Sequence, residues 1–451
     1  MFRRRWSGLP EDPSFPADLE ELGYCVEPKS DEIRNAEDPK YYFHYFRSKN
    51  ERHNDCQRFA FNTAVEKQLI HPRLEALGLT KLALPLGTPT AKPHVPIFVS
   101  PGLSSKKRVV LIVGESEQEL GVLAHRVIGG AGGVDKGSMV DIARAVLTGD
   151  QSKDQSQNEN PTDGSTGTTT NTAAPGLVLA NTGELWWWPE GGRGLTTRGA
   201  HSAPLRSAVH WGKYRHDYDP NNVKTVPRNE SPAAHIRCVF EQVLGNTDLV
   251  AADAVVQVIG IGDGAAAVER VLDESWARWE ARVGCLAMCG SGLDAKSVQD
   301  AGFKKFLREK ARLYITCHEQ AGALISGPDG NDKTVLFTGY GTYIFSSGER
   351  YYTELTLIKA KDMLLAWLEE VARAGAGYAN PEVEVTYADE YVGEKEQTWA
   401  NSAPPSCAPE DGAAAAAAFE TPTREEQKDL GLEMITREEY EDRLRTEVKN
   451  K

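Results

Sequence analysis

The sequence has no apolar run that approaches the roughly 18 residues needed to cross a bilayer, which argues against an integral membrane protein. Its basic start, MFRRRW, leads into SGLPEDPSFP instead of an apolar stretch, so we expect no secretory signal. The seven cysteines are scattered and form no CxxC pair. That pattern indicates reduced thiols of the cytosol or nucleus, and it argues against a disulfide framework or a zinc site. We expect neither a metal nor a cofactor.

The chain also lacks a basic excess. Its 51 lysines and arginines are outnumbered by 65 acidic residues, which gives a net charge of −14. Proteins that hold DNA or RNA mainly through the phosphates carry an excess of positive charge. We therefore expect this protein to contact a basic protein surface and not to bind naked RNA directly.

The composition changes along the 451 residues and divides the chain into three parts. We predict an N-terminal tail at 1–17, one large domain at 18–392, and an acidic, low-complexity tail at 393–451 with a short terminal helix. Inside the domain, 150–175 is rich in serine, threonine, asparagine and glycine, so we predict a disordered insert there. The proline-rich stretch 84–100 is interpreted as a connector.

Short apolar runs alternate with helical patterns through the predicted domain. Most runs are apolar at successive positions, as is typical of strands buried on both faces. They lie at 108–114, 176–181, 254–261, 283–289, 313–317 and 343–347. Helical patterns lie between or after them, at 117–127, after Ser138, and at 232–244, 265–279 and 355–374. The alternation predicts an α/β fold with a mostly parallel sheet and helices on both faces.

The most informative motif is the glycine turn IGIGDG that follows the apolar run 254–261. Gly260, Gly262 and Gly264 stand at alternate positions, where a strand enters the turn and a helix leaves it. The α/β-hydrolases place G-x-S-x-G at such a junction, with the nucleophile on a strained turn. Here the nucleophile position is Gly262, which has no side chain. Asp263 is interpreted as the N-cap of the following helix.

A catalytic base is also missing at the expected place. In the hydrolase chain order the histidine comes last, in the loop after the final strand. The last histidine of this chain, His318, follows the apolar run 313–317, which is one strand too early. The loop after 343–347 contains no histidine. We therefore predict a hydrolase-like scaffold without catalytic residues.

An active hydrolase of the esterase or lipase kind stays open as the alternative. It would need an unconventional nucleophile, either Asp263 or Ser291, which lies between two glycines after the run 283–289. The glycine-rich stretch 129–138 does not match a phosphate-binding loop, because it follows a helical pattern and reads Lys-Gly-Ser at its end. It is interpreted as a flexible turn capped by Ser138.

Three consecutive tryptophans form an unusual run after the strand predicted at 176–181. Such a run lines a pocket or stacks on bases in some proteins, and in others it packs over a sheet edge and closes the core. Both interpretations stay open here. The candidate binding rim comprises Trp186, Trp187, Trp188, His201, Trp211 and His318.

Several blocks of the sequence, in one order, resemble the fungal Argonaute-binding protein family. They include DLEELGY, YYFHYFRSKNERHNDCQRFAFNTAV, RVVLIVGES, LGVLAHRVIGGAGGVDKGSM, LWWWPEG, IGIGDGAAAVE and FSSGERYYTELTLIKAKD, and they span about 18–374. The family contains the second Argonaute-binding subunit of the Argonaute siRNA chaperone complex, and a related domain is fused to some fungal class II histone deacetylases.

The resemblance implies an α/β-hydrolase-like fold and a non-catalytic adaptor. The implied partners are an Argonaute protein and the other chaperone-complex subunits, together with chromatin or histone-modifying factors. The implied role is small-RNA-directed heterochromatin formation and gene silencing. A nuclear location follows from that role, with a cytoplasmic pool as a second expectation.

Overall fold

A sheet of nine strands forms the centre of the protein. The computed structural model describes residues 11–41, 43–148, 174–205 and 225–383. The tail 393–451, most of the tail 1–17 and nearly all of the insert 150–175 lie outside these ranges, so those three predictions concern residues that are not described. The strands are β1 (Tyr24–Val26), β2 (Ile33–Asn35), β3 (Thr80–Leu84), β4 (Val95–Val99), β5 (Arg108–Val113), β6 (Gly176–Ala180), β7 (Trp186–Trp188), β8 (Arg193–Leu195), β9 (Val255–Ile261), β10 (Val283–Cys289), β11 (Ala311–Ile315), β12 (Leu324–Ser326) and β13 (Tyr343–Ser346).

The order of the strands across the main sheet is β12-β13-β11-β10-β9-β5-β6-β4-β3. The strands from β13 to β6 run parallel, whereas β4 is antiparallel to both β3 and β6, and β12 is antiparallel to β13. β1 pairs with β2, and β7 with β8, in two separate antiparallel hairpins. The predicted α/β fold with a mostly parallel sheet is confirmed.

Helices cover both faces of the sheet. They are α1 (Glu51–Ala64), which continues as a π-helical segment (Val65–Ile70), α2 (His71–Ala76), α3 (His125–Ile128), α4 (Gly133–Gly137), α5 (Met139–Thr148), α6 (Thr197–Ser202), α7 (Pro232–Val239), which continues as a second π-helical segment (Phe240–Leu244), α8 (Asp263–Trp279), α9 (Ala301–Lys310) and α10 (Thr356–Ala374). Side chains of a strand alternate between faces. In β5, Val110 and Ile112 therefore pack with α1, α5 and α10, whereas Val109 and Leu111 pack with α7, α8 and α9.

Three local predictions were wrong. Residues 117–124 form turns, and only the short α3 follows, because Gly121 has a left-handed φ of 90° that interrupts a helix. The stretch 84–100 contains β4, whose residues Val95 and Ile97 are fully buried. The stretch 129–138 contains the short helix α4, where a flexible turn was predicted.

The six described cysteines are free thiols, and all except Cys25 are buried. No helix in the described part of the chain combines the length and the apolar character that a bilayer crossing requires.

Candidate functional site

The turn between β9 and α8 has the backbone of a nucleophile-bearing bend. Gly262 is the single residue between them, with φ of 54° and ψ of −128°. Glycine adopts these angles readily, and other residues adopt them only under strain. The amide of Gly262 donates to the carbonyl of Cys289 on the neighbouring strand, at 2.8 Å. The bend is therefore a strained strand-to-helix turn, the kind of junction at which α/β-hydrolases place a nucleophile, and its central residue has no side chain.

The two flanking glycines allow the strand and the helix to approach closely. A Cβ atom on Gly260 would lie 2.6 Å from Cα of Ala265 in α8. A Cβ atom on Gly264 would collide with the carbonyl oxygen of Gly114. Real Cβ atoms do not tolerate such contacts with backbone atoms, so both positions require glycine.

The Glu115 side chain occupies the space where a nucleophile would begin. A Cβ atom on Gly262 would lie 2.8 Å from Cγ and 2.9 Å from Cδ of Glu115. Burial, together with the nearby charges of Asp263 and Glu354, raises the pKa of Glu115 to about 6. The bend therefore faces a partly buried carboxyl group from the loop after β5.

Asp263 does not cap α8 as predicted. Gly262 occupies the cap position and offers no side chain, and Asp263 is the first helical residue. Its carboxylate accepts hydrogen bonds from the amide of Ser116, at 2.9 Å, and from the hydroxyl of Ser116. A carboxylate in the first turn of a helix is still favourable for the helix dipole. These two hydrogen bonds connect the loop after β5 to the start of α8.

The alternative nucleophile and the last histidine are both engaged elsewhere. The hydroxyl of Ser291 donates to the carbonyl of Gly262, at 3.1 Å. His318 is exposed and contacts the ring of Tyr351 edge-on, with centroids 5.7 Å apart. Within the described ranges, no histidine hydrogen-bonds to Ser291 or Asp263.

A polar pocket of about 310 Å³ lies beside the bend. Two ion pairs lie in its wall. Nε2 of His125 lies 2.9 Å from Oε2 of Glu119, and Nε of Arg126 lies 3.3 Å from Oε1 of Glu354. Burial alone would raise the pKa of Glu119, but the charge and the hydrogen bond of His125 lower it to about 2. The lining residues are Arg58, Asn62, Glu115, Glu117, Gln118, Glu119, His125, Arg126, Arg198 and Glu354.

None of the described residues of the predicted rim lines this pocket. Trp186 and Trp188 pack on α6 together with Phe59, and Trp188 meets Phe59 edge-on at 5.8 Å. Trp187 faces the other way and lies 5.3 Å from the ring of His94. These contacts favour the interpretation that the tryptophans close a small core. His201 lies on α6 and is exposed, and Trp211 lies outside the described residues.

No local sequence pattern identifies the residues that the structure brings to the bend and its pocket. Glu115 and Glu119 follow β5, but only the strand order places β5 beside β9. Arg58 and Arg198 come from α1 and α6, far apart in the chain. Among the residues that the structure describes, no group of three or more histidine, cysteine or acidic side chains is arranged to hold a metal ion.

Comparison with known families decides what this scaffold is. The sequence model of the family described as the Arb2 domain matches residues 15–321. The chain belongs to the Arb2 domain family. The match confirms the resemblance to Argonaute-binding proteins and supports, for the Arb2 family as a whole, a role of the Argonaute-chaperone type. The matched range includes the bend at Gly262 and ends before β12, β13 and α10. A search of curated proteins gives no match.

Proposed function

We propose that this Arb2 protein is a non-catalytic adaptor that binds an Argonaute protein. In this proposal the adaptor works with the other subunits of an Argonaute siRNA chaperone complex, and it supports small-RNA-directed heterochromatin formation and gene silencing. Its location is nuclear, with a cytoplasmic pool. The family match supports the Argonaute connection, and the Gly262–Glu115 geometry supports the absence of catalysis.

The position of Glu115 is the main support for the proposal that the protein is not an enzyme. Acyl transfer through a covalent intermediate needs a nucleophile with a base in hydrogen-bond reach. At this bend, Gly262 supplies no nucleophile and Glu115 fills the adjacent space. Folds are retained when sites are lost, so a hydrolase-like sheet is compatible with a binding function.

The charge of the chain supports a protein partner. A net charge of −14 favours contact with a basic protein surface. Chromatin or histone-modifying factors are further partners in this proposal, since histones are basic as well. Direct binding of RNA is not part of it.

A reconstituted binding assay tests the proposal. The purified full chain is mixed with an Argonaute protein loaded with duplex siRNA, and separately with the same duplex alone. We expect co-elution with the Argonaute protein, and no binding of the free duplex at physiological salt. Absence of Argonaute binding would contradict the adaptor role. Tight, salt-sensitive binding of the free duplex would contradict the proposed partner. Imaging of the tagged chain in its native cells tests the location.

The alternative function is an active hydrolase of the esterase or lipase kind. One observation favours it: the polar pocket lies beside the bend, and Ser291 lies close to the same backbone. In that alternative, Ser291 or Asp263 attacks an acyl ester, and replacing the responsible residue abolishes turnover.

A further inference from the structure

Two arginines in the pocket beside the bend have no acidic partner. Arg58 on α1 and Arg198 on α6 both line the pocket, and α1 packs against α6. In the described ranges, neither guanidinium forms an ion pair or a hydrogen bond. Arg58 lies over the ring of Tyr45, at 5.9 Å from its centroid. By contrast, Arg126 in the same wall is paired with Glu354.

The two guanidinium groups are close enough to repel each other. Burial lowers the pKa of Arg58 and the charge of Arg198 lowers it further, whereas the charges of Glu119 and Asp55 act in the opposite direction without reversing the shift. A half-buried guanidinium such as that of Arg58, next to the like charge of the exposed Arg198, is unfavourable unless a counter-charge is supplied. Two of the four carboxylates that line the pocket are engaged elsewhere, since Glu119 is bound by His125 and Asn62, and Glu354 by Arg126.

The lining of the same pocket also contains acidic side chains. Glu115 and Glu117 come from the loop after β5, and Glu354 comes from the short turn before α10. A ligand with several acidic groups would bring one of them against these glutamates. A ligand with one acidic group would place that group at the arginines and the rest of the molecule at the glutamates.

We propose that this pocket binds a small molecule through a single carboxylate or phosphate group held by Arg58 and Arg198. The remainder of the ligand is uncharged or positively charged and faces Glu115 and Glu117. Guanidinium groups match the planar oxygens of carboxylates and phosphates, and the volume of about 310 Å³ suits a small ligand. The proposal is independent of Argonaute binding.

Isothermal titration calorimetry of the full chain tests it with three probes: glycylglycine, inorganic phosphate and succinate. Glycylglycine and phosphate are expected to bind saturably, and succinate, with two carboxylates, several-fold more weakly than glycylglycine. Arg198 is exposed, so Arg198→Gln should keep the fold and weaken glycylglycine and phosphate roughly tenfold or more. Glu117→Gln should strengthen phosphate binding, because it removes a negative charge from the lining of the pocket.

The matched control is Arg270→Gln, which removes one exposed arginine from α8 outside the pocket. It should leave all three affinities unchanged. No saturable binding of glycylglycine or phosphate would overturn the proposal. If Arg198→Gln and Arg270→Gln lost affinity equally, the proposed location of the site would be wrong. If succinate and glycylglycine bound with equal affinity, the proposed preference for a single acidic group would be wrong.

Discussion

Glu115 and Gly262 share one space: the Glu115 side chain lies where a side chain at position 262 would begin. A Cβ atom on Gly262 would be 2.8 Å from Cγ of Glu115. The backbone at Gly262 keeps the angles of a nucleophile-bearing turn, with φ of 54° and ψ of −128°. Position 262 therefore has no side chain, and the space beside it is filled by a side chain from the loop after β5.

The first prediction concerns the stability of Gly262→Ala. The variant should lose stability through backbone strain of roughly 1–3 kcal/mol, and through a clash with Glu115 of at least about 1 kcal/mol more. Denaturant unfolding of the full chain measures the change. The matched control is Gly375→Ala, because Gly375 has similar angles, φ 64° and ψ −144°, but nothing within 4 Å of its added Cβ.

A double-mutant cycle separates the two contributions. In a Glu115→Ala background the clash disappears, so Gly262→Ala should then cost about as much as Gly375→Ala. If Gly262→Ala costs no more than Gly375→Ala in the wild-type background, Glu115 does not occupy the reactive position.

The second prediction concerns Glu269, which is fully buried on α8. Burial raises its pKa to about 8, although it accepts a hydrogen bond from the amide of Leu293 at 2.6 Å. A raised pKa means that the folded state favours the protonated acid. Its contribution to stability is complete below the unfolded pKa near 4.5, and it is lost as the pH rises through about 8.

Glu269→Gln should therefore be more stable than the wild type at pH 8, with the difference shrinking towards pH 5. Each pH unit in this window changes the difference by up to about 1.4 kcal/mol. Urea unfolding of both proteins at several pH values measures it. A difference that is constant with pH would show that Glu269 does not titrate in this range.

The third prediction concerns a buried charge network. Nη1 of Arg193 lies 3.0 Å from Oε2 of Glu66, and its Nη2 lies 3.7 Å from Oε1 of Glu184. Burial and the charge of Glu66 raise the pKa of Glu184 to about 8. Arg193→Met would leave the buried Glu66 carboxylate with only the imidazole of His71 beside it, at 3.5 Å, so the free energy of unfolding should fall by roughly 3–5 kcal/mol.

The surface pair Arg237–Glu274 is the comparison for that network. Nη2 of Arg237 lies 2.5 Å from Oε2 of Glu274, and both side chains are about half exposed. Arg237→Met should cost no more than about 1 kcal/mol. Similar losses in the two arginine variants would mean that burial does not control the energy of the Arg193 network.

Much of the sheet was predictable because its central strands are apolar on both faces. β5, β6, β9 and β10 were located from such runs. The edge strand β3 was missed because its exposed residues have a mixed pattern. The helix predicted at 117–127 was wrong because Gly121 has a left-handed φ. The connector predicted at 84–100 was wrong because its prolines concealed β4.

The candidate site was predictable only in part. The glycine spacing of the bend identifies Gly262 from sequence, because the motif is local. Glu115 could not be found in this way, since its contact with Gly262 depends on β5 lying next to β9. The Arg58–Arg198 wall depends in the same manner on how α1 packs against α6.

A measurement of ester turnover decides whether this chain, with a glycine at its strand-to-helix bend, lacks hydrolase activity. The purified full chain, Ser291→Ala and Asp263→Asn are compared on a panel of activated acyl esters. The account predicts that all three proteins give the same rate as buffer with an inert protein. Turnover by the wild type that either substitution abolishes would contradict it and would establish an active hydrolase.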